Sequence, residues 1–289
     1  MINEELMNNY RKALEQKYNA ICFDIDGTLT EDDSTKIDSR VLPMLASILK
    51  KHIPLVFITG RGETGLNELL SDILDDLKYK YGVSEKQLLK IYALTNDGAR
   101  IFMTGNNGEP LFNISEYISS REDFVKLEEI NSKIINLLNS STLGNCCKVT
   151  YSKDSVTNNI INIRVIILNN NVEINNEMIR IINSFIRDSK NPNLNLTIGM
   201  HNGKQVLQIG TATKDKAIKI AERMIGIPQN SMLRIGDCGD RLGNDYSMLN
   251  CPQGFSVDKT SGAINGCFPI IEDGEVIKGV NGTLNLLKK

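Results

Sequence analysis

Short uninterrupted apolar runs alternate along the chain with longer stretches whose apolar residues recur every three or four positions. The runs Ala20 to Phe23, Ile53 to Ile58 and Ile91 to Leu94 are apolar at nearly every position, and the stretches Val41 to Lys51 and Glu63 to Tyr81 separate them. Strands with no polar face must be covered on both sides, so the pattern predicts a parallel sheet between two layers of helices. A short helix with Leu6, Tyr10, Leu14 and Tyr18 on one face is predicted ahead of the first strand.

From about Phe112 the rhythm changes. Glu122 to Leu138 reads as an amphipathic helix with Leu127, Ile130, Ile134, Leu137 and Leu138 on one side, followed by two strands, Cys146 to Tyr151 and Ile160 to Leu168, with no helix between them. A second helix carries Ile174, Met178, Ile181, Ile182 and Phe185, and a strand follows at Leu194 to Ile198. With Pro110 to Ile114 as its first strand, this segment predicts an open antiparallel sheet with helices on one face. The alternation then resumes with Gln205 to Ile209, the helix Lys214 to Ile225 closed by Gly226 and Pro228, and the strand Met232 to Ile235. The predicted organisation is therefore an α/β core, residues 1–111 and 203–289, interrupted by an α+β module at residues 112–202.

Composition narrows the function classes. At 289 residues the chain is long enough for about two domains of roughly 150 residues each. Lys and Arg number 33 against 35 Asp and Glu, Trp is absent and aromatic residues are 6 % of the chain, which lacks the basic face and stacking rings of a nucleic-acid binder. The six cysteines form no CxxC pair and there are only two histidines, so a zinc site is not expected, and free thiols point to a reducing compartment. The first residues contain no apolar core of the signal-peptide kind and no stretch reaches 18 apolar residues. The expectation is a cytoplasmic protein, with neither a membrane nor a nucleic acid as partner.

The chemistry lies just after the predicted core strands: Asp24 and Asp26, Thr59 and Arg61, Asn96 and Asp97, then Asp237. In a parallel sheet these positions gather along the carboxyl edge, where open α/β sheets bind ligands. Lys214 joins them from the first turn of a helix, where the macrodipole disfavours a cation and attracts an anion, so a lysine there fits a bound phosphate. The densest signal is Asp24-Ile25-Asp26-Gly27-Thr28-Leu29-Thr30. Two carboxylates so close at a strand end repel one another unless a cation or a raised pKa relieves them, and the cluster calls for Mg²⁺ or an ion like it. Gly27 permits close backbone approach to a ligand, and Thr28 offers a hydroxyl. An EF-hand reading fails, because the twelfth position counted from Asp24 is Thr35 rather than a bidentate Glu, and a strand precedes the loop.

Four separated motifs resemble those of the haloacid dehalogenase (HAD) superfamily: Asp24-Ile25-Asp26-Gly27-Thr28, then Ile58-Thr59-Gly60-Arg61, then Lys214 within Thr213-Lys214-Asp215-Lys216-Ala217, and lastly Gly236-Asp237 with Asn244-Asp245. Lys216 competes with Lys214 for the third. In the fourth, extra residues separate Asp237 from Asn244-Asp245, a spacing more like the phosphomannomutase branch, and Asp240 enters as a rival ligand. Asn96-Asp97-Gly98-Ala99 resembles the Asn-Gly-Ala turn of the branch with a large cap, the Cof-type or C2B group, with Asp97 in place of the usual amide. The resemblance implies a Rossmann-like core with an inserted C2-type cap.

It also implies a Mg²⁺-dependent phosphatase. Asp24 is the expected nucleophile and Asp26 the acid and then base; Thr59 and Lys214 are expected on the phosphoryl oxygens. Gly27, Thr28, Gly60, Arg61, Asn96, Asp97 and Asn244 are expected around phosphate and substrate. The metal set is Asp24, Asp26 through its backbone carbonyl, Asp237 and Asp245. Lys148, Arg164, His201 and Asn202 are cap residues expected to meet the alcohol part of the substrate. The expected partner is a small phosphorylated metabolite, a sugar phosphate, bound by a monomer or homodimer. The alternatives are a hexose phosphomutase of the phosphomannomutase type and, more remotely, a non-catalytic sugar-phosphate or metal-binding regulator.

Overall fold

The computed structural model describes residues 4–31, 34–104, 110–111, 120–153, 158–169, 171–201 and 204–288. The chain opens with α1 (Glu4–Glu15), β1 (Ala20–Phe23), α2 (Leu42–Lys50), β2 (Leu55–Ile58), α3 (Glu63–Asp75), α4 (Glu85–Leu88), β3 (Ile91–Thr95), β4 (Arg100–Thr104) and β5 (Pro110–Leu111). It continues with α5 (Arg121–Ser140), β6 (Cys147–Lys153), β7 (Ile160–Ile167), α6 (Val172–Ser189), β8 (Asn195–His201) and β9 (Lys204–Gly210). It closes with α7 (Lys214–Ile225), β10 (Met232–Gly239), α8 (Tyr246–Leu249), β11 (Gly254–Thr260), β12 (Phe268–Pro269), β13 (Ile271–Glu272), β14 (Glu275–Val276) and α9 (Gly279–Lys288). Two compact units result: Met1–Glu116 with Lys214–Lys289, and Tyr117–Thr213.

The larger unit is built on one sheet in the order β12-β11-β10-β1-β2-β3-β4-β5. The first six of these strands are mutually parallel, and β4 and β5 add an antiparallel edge. Every residue of β1 and β2 is buried, as strands covered on both faces require. Phe23 and Phe57 are fully buried neighbours with ring centroids 6.2 Å apart, each contributing about 1.5–3 kcal/mol of apolar burial. Sequence direction reverses at β1, which has β2 on one side and β10 on the other. This is the switch point of a doubly wound sheet, where a crevice opens beyond the strand ends. The α/β core with a parallel sheet is thus present as predicted.

The smaller unit is a four-stranded antiparallel sheet, β6-β7-β9-β8. Leu127, Ile130 and Ile134 of α5 and Met178 and Ile182 of α6 pack with Ile163, Val165, Ile167, Leu207 and Ile209 into one apolar cluster. Both helices and the strand at Ile160 match the pattern read from sequence.

Two strand assignments do not. Gln205 to Ile209 is not a strand of the core: β9 pairs antiparallel with both β7 and β8. Only residues 202 and 203 separate β8 from β9, and a link that short closes a hairpin, whereas a parallel neighbour needs a crossover of a dozen or more residues. Conversely Pro110 and Leu111, expected to start the module, pair with β4 at the edge of the core sheet. The remainder of that expected strand, 112–114, lies outside the described residues. The module accordingly spans Tyr117–Thr213 rather than 112–202.

A capping box starts α5. The Ser120 hydroxyl accepts from the Asp123 amide at 3.2 Å, and Asp123 accepts from the Ser120 amide at 2.6 Å. Asp123 also accepts from the side chains of Asn191 at 2.7 Å and Asn193 at 3.3 Å, tying the helix start to the loop after α6. Burial alone would push this carboxyl up, but the hydrogen bonds from Ser120, Asn191 and Asn193 hold it below its ordinary range. A depressed carboxyl stabilises the fold above its unfolded pKa of about 3.9, and that contribution disappears as pH falls through the folded value. Asp123→Asn is expected to cost about 1–2 kcal/mol at pH 7 and to flatten the acid-side loss of stability, readable in urea unfolding of both proteins at pH 7 and pH 3.

All six cysteines are free. Among the described residues no helix is long and apolar enough to cross a membrane.

Candidate active site

Asp24 leaves the end of β1 with its amide still bonded to the Ile235 carbonyl at 2.8 Å, so its side chain starts from a fixed point beside β10. The chain then turns tightly, the amides of Thr28 and Leu29 returning to the Ile25 carbonyl at 3.3 and 2.8 Å. Gly27 sits in this turn at φ 72°, and a Cβ there would stand 2.8 Å from Asp237 Oδ2. Glycine is thus required both for the backbone conformation and for the approach of the turn to Asp237. Thr28 is fully buried; its carbonyl accepts from the Thr283 hydroxyl at 2.7 Å, while its own Oγ1 has no hydrogen-bond partner among the described residues.

On the neighbouring strand the pairing of β10 with β11 shifts register between Gly236 and Cys238, which sets Asp237 at an irregularity. Such breaks in a ladder re-aim side chains beside active sites. Asp245, fully buried, folds back so that its Oδ2 accepts from the amides of Asp237 at 2.9 Å and Cys238 at 3.0 Å. A Cβ on Gly236 would lie 2.5 Å from that same oxygen, so this glycine makes room for the carboxylate.

Lys214, at the start of α7, is fully buried and donates to Asp24 Oδ1 at 2.5 Å and to Asp245 Oδ1. Asp24, Asp237 and Asp245 each offer a carboxylate oxygen, all within 4.8 Å of one another. The charges act on one another strongly. Burial, with the carboxylates of Asp245 and Asp26, raises Asp24 well above the usual carboxylate range against the pull of Lys214. Burial and the charges of Asp245 and Asp24 raise Asp237 likewise. Burial would also raise Asp245, but the Lys214 ammonium and the Cys238 amide hold it low. Burial would lower Lys214, yet the carboxylates of Asp24, Asp245 and Asp97 keep its ammonium charged to higher pH than usual. One cation thus faces three clustered carboxylates, an excess of negative charge in a buried place.

Thr59 and Arg61 follow β2. Thr59 is fully buried and its Oγ1 accepts from the Arg61 amide at 3.1 Å. Arg61 extends to Asp26, with Nη2 donating to Oδ1 at 2.6 Å and Nε reaching Oδ1 at 3.2 Å and Oδ2 at 3.1 Å. Gly60, half-buried, joins the two. After β3, Asn96 and Asp97 adopt φ of 49° and 56°, and Gly98 φ of 100°. Three left-handed residues in succession suit Asn, Asp and Gly better than any other types. The turn locks onto its neighbours: the Asn96 amide donates to the Arg61 carbonyl at 3.0 Å and the Asp97 amide to the Thr59 carbonyl at 2.9 Å. A Cβ on Gly98 would lie 2.6 Å from Ala217 Cβ, so α7 packs directly on this turn. Asn96 Oδ1 and Asn244 Oδ1 are both buried with no hydrogen-bond partner among the described residues.

The structure therefore gathers Asp24, Asp237, Asp245 and Lys214, and it sets Lys214 rather than the half-buried Lys216 against Asp24. Asp26 and Asp240 stand outside the carboxylate cluster. The Asp240 carbonyl closes a turn by accepting from the Gly243 amide at 2.8 Å, and that turn absorbs the extra residues of the fourth motif. In the module Lys148 is exposed, and Arg164 lies between the helix-facing Ile163 and Val165, hence on the other face of β7. His201 ends β8, and Asn202 lies outside the described residues. Gly236 was quoted in sequence only as the residue before Asp237 in the fourth motif; the role it has here, leaving room for the Asp245 carboxylate, carries no sequence signal beyond that place.

The cluster suits a hard divalent cation: every donor is a carboxylate oxygen, and a Mg²⁺ with ligands at about 2.1 Å spans about 4.2 Å between opposite oxygens. Asp24 and Asp237 have oxygens for it. Asp245 spends Oδ1 on Lys214 and Oδ2 on two amides, which suits it to orienting the others or to holding a metal-bound water.

A buried lysine–carboxylate nest at the switch point of a doubly wound sheet, in a core interrupted by an α+β module, defines a class of enzyme with its chemistry on the core. A family model for haloacid dehalogenase-like hydrolases matches residues 21–257, and the chain belongs to that family. It is an enzyme of the hydrolase class. No curated protein matches the sequence. Among solved structures it is similar to an IMP-bound mutant of the Plasmodium falciparum IMP-nucleotidase, with TM-score 0.71 at 14 % identity over 98 % of this chain and 69 % of that one. It is also similar to a protein from Plasmodium vivax assigned to the HAD/Cof-like hydrolases, with TM-score 0.65 at 16 % identity over 96 % and 97 % of the two chains. These likenesses are of fold.

Proposed function

We propose that the protein is a Mg²⁺-dependent phosphatase that hydrolyses a small phosphorylated metabolite, a sugar phosphate, through an aspartyl phosphate on Asp24. The observation that carries this reading is the Lys214 ammonium bridging Asp24 and Asp245, with Asp237 completing an all-oxygen cluster. A phosphate ester is the substrate whose charge such a site can use, once a divalent ion joins the lysine.

In the first step an Asp24 carboxylate oxygen attacks phosphorus; the bond to the leaving oxygen breaks, and Asp26 gives that oxygen a proton. In the second step the Asp26 carboxylate takes a proton from water as that water attacks phosphorus, releasing inorganic phosphate and restoring Asp24. Lys214 holds the nucleophile in place and offsets charge on the phosphoryl oxygens. Thr59 and the amide oxygen of Asn244 line the same edge of the sheet. Mg²⁺, held by Asp24 and Asp237 with the Asp26 carbonyl, would supply further charge neutralisation.

The fold likeness to an IMP-nucleotidase adds nucleoside monophosphates to the substrates worth testing. The decisive measurement is phosphate release from a panel of sugar phosphates, IMP and p-nitrophenyl phosphate, with Mg²⁺ and with EDTA. Release that falls on the order of 10³-fold with EDTA is expected. Absence of release from every ester, or release indifferent to EDTA, overturns the reading. A phosphomutase would instead interconvert hexose phosphates when given a bisphosphate and release little phosphate. A sugar-phosphate-binding regulator would bind without turnover.

A further inference from the structure

Arg61 is expected, from its motif, to touch substrate. Its guanidinium is otherwise engaged. Nε and Nη2 fork onto Asp26, and Nη1 donates to the Thr35 carbonyl at 2.8 Å. Its backbone is held on both sides, the amide by Thr59 Oγ1 and the carbonyl by the Asn96 amide. The side chain is 12 % exposed. A planar fork fastened in this way fixes both the place and the plane of the carboxylate that it grips.

We propose that Arg61 is a positioning residue for Asp26, not a phosphoryl-binding residue, and that it selects which oxygen of Asp26 moves the proton. Among the described residues, Asp26 Oδ1 receives two N–H groups, one of them at 2.6 Å, while Oδ2 receives one, at 3.1 Å. Oδ2 is therefore the oxygen left to serve the leaving group and then the water. Asp26 stands outside the Asp24, Asp237 and Asp245 cluster, so some element must hold it at a working distance, and Arg61 is the group that grips it. The same arginine couples three strand-end segments, since it also joins Thr59 and the left-handed turn at Asn96. This inference rests on the phosphatase reading above.

The test is a double-variant cycle on the Mg²⁺-loaded full chain: Arg61→Gln, Asp26→Asn and both together. The readouts are kcat/KM, which reports steps up to the aspartyl phosphate, for p-nitrophenyl phosphate and for phenyl phosphate, and inhibition by inorganic phosphate. Phenolate is the poorer leaving group and needs the proton more. Arg61→Gln is expected to lower kcat/KM for phenyl phosphate on the order of 10- to 100-fold and to affect the nitrophenyl ester less. Phosphate inhibition should stay nearly constant, and the double variant should be no slower than Asp26→Asn alone. Arg61→Lys, which keeps charge but not the fork, should remain impaired; it carries the same cycle should thermal unfolding show that Arg61→Gln does not fold.

Multiplying losses, or phosphate inhibition that weakens in step with kcat/KM, would overturn the proposal and return Arg61 to the phosphoryl group. Asp24→Asn serves as control. If it still turns over, the phosphatase mechanism fails; if it is silent while the losses at Arg61 and Asp26 multiply, only the role of Arg61 fails.

Discussion

Asp24→Asn should yield a folded protein whose turnover drops on the order of 10⁴-fold or more, the size of loss seen when a covalent nucleophile is removed. The amide keeps the shape of the side chain but cannot attack phosphorus. Stability should move the other way or not at all. Burial and the neighbouring carboxylates already work against ionised Asp24, so a neutral group removes repulsion from the cluster, and Lys214 keeps its pairing with Asp245. A melting temperature equal to or above that of the parent in EDTA, beside an absent steady-state rate, is the expected pair of results. Retained turnover would sink the nucleophile assignment, and a collapsed melting temperature would show Asp24 to be structural.

Lys214→Met should be the most destabilising single change at the site. It removes the one ammonium bonded to Asp24 and Asp245, both buried, and leaves two carboxylates in the interior without a countercharge. Breaking a buried pair in this way costs about 3–5 kcal/mol. Set against a typical total stability of about 5–15 kcal/mol, that is about a fifth or more of the fold's margin. The expected fall in melting temperature is about 10 °C, at about 2–4 °C per kcal/mol for a chain of this size. Mg²⁺ should restore part of it by binding the same carboxylates, so the difference between melts in EDTA and in Mg²⁺ should widen in the variant. A variant that melts with the parent in EDTA would mean that the pairing contributes nothing.

The core was legible because its strands are apolar on both faces and stop at polar residues, as Phe23 does at Asp24 and Ile58 at Thr59. Direction was not legible. An apolar run such as Gln205 to Ile209 is compatible with a parallel or an antiparallel partner, and only the short link back to His201 decides the matter. Strand β4 was missed because it depends on the left-handed turn at Asn96 to Gly98 rather than on a strong pattern of its own. At the site, Asp24, Asp237 and Lys214 were readable from their places at element ends. The amide cradle of Asp245 was not, since it arises from a chain reversal over eight residues and the missing side chain of Gly236. The fork of Arg61 on Asp26 joins positions 35 residues apart, and no local spacing announces it.

The boundary between the two compact units falls at the peptide bond joining Thr213 to Lys214. The residue that carries the buried ammonium is thus the first one after the insertion. Anyone transplanting this module onto another scaffold, or replacing it to alter specificity, would need to splice no later than the bond between Thr213 and Lys214. A cut one position later would carry the lysine away with the graft and disable an otherwise intact recipient.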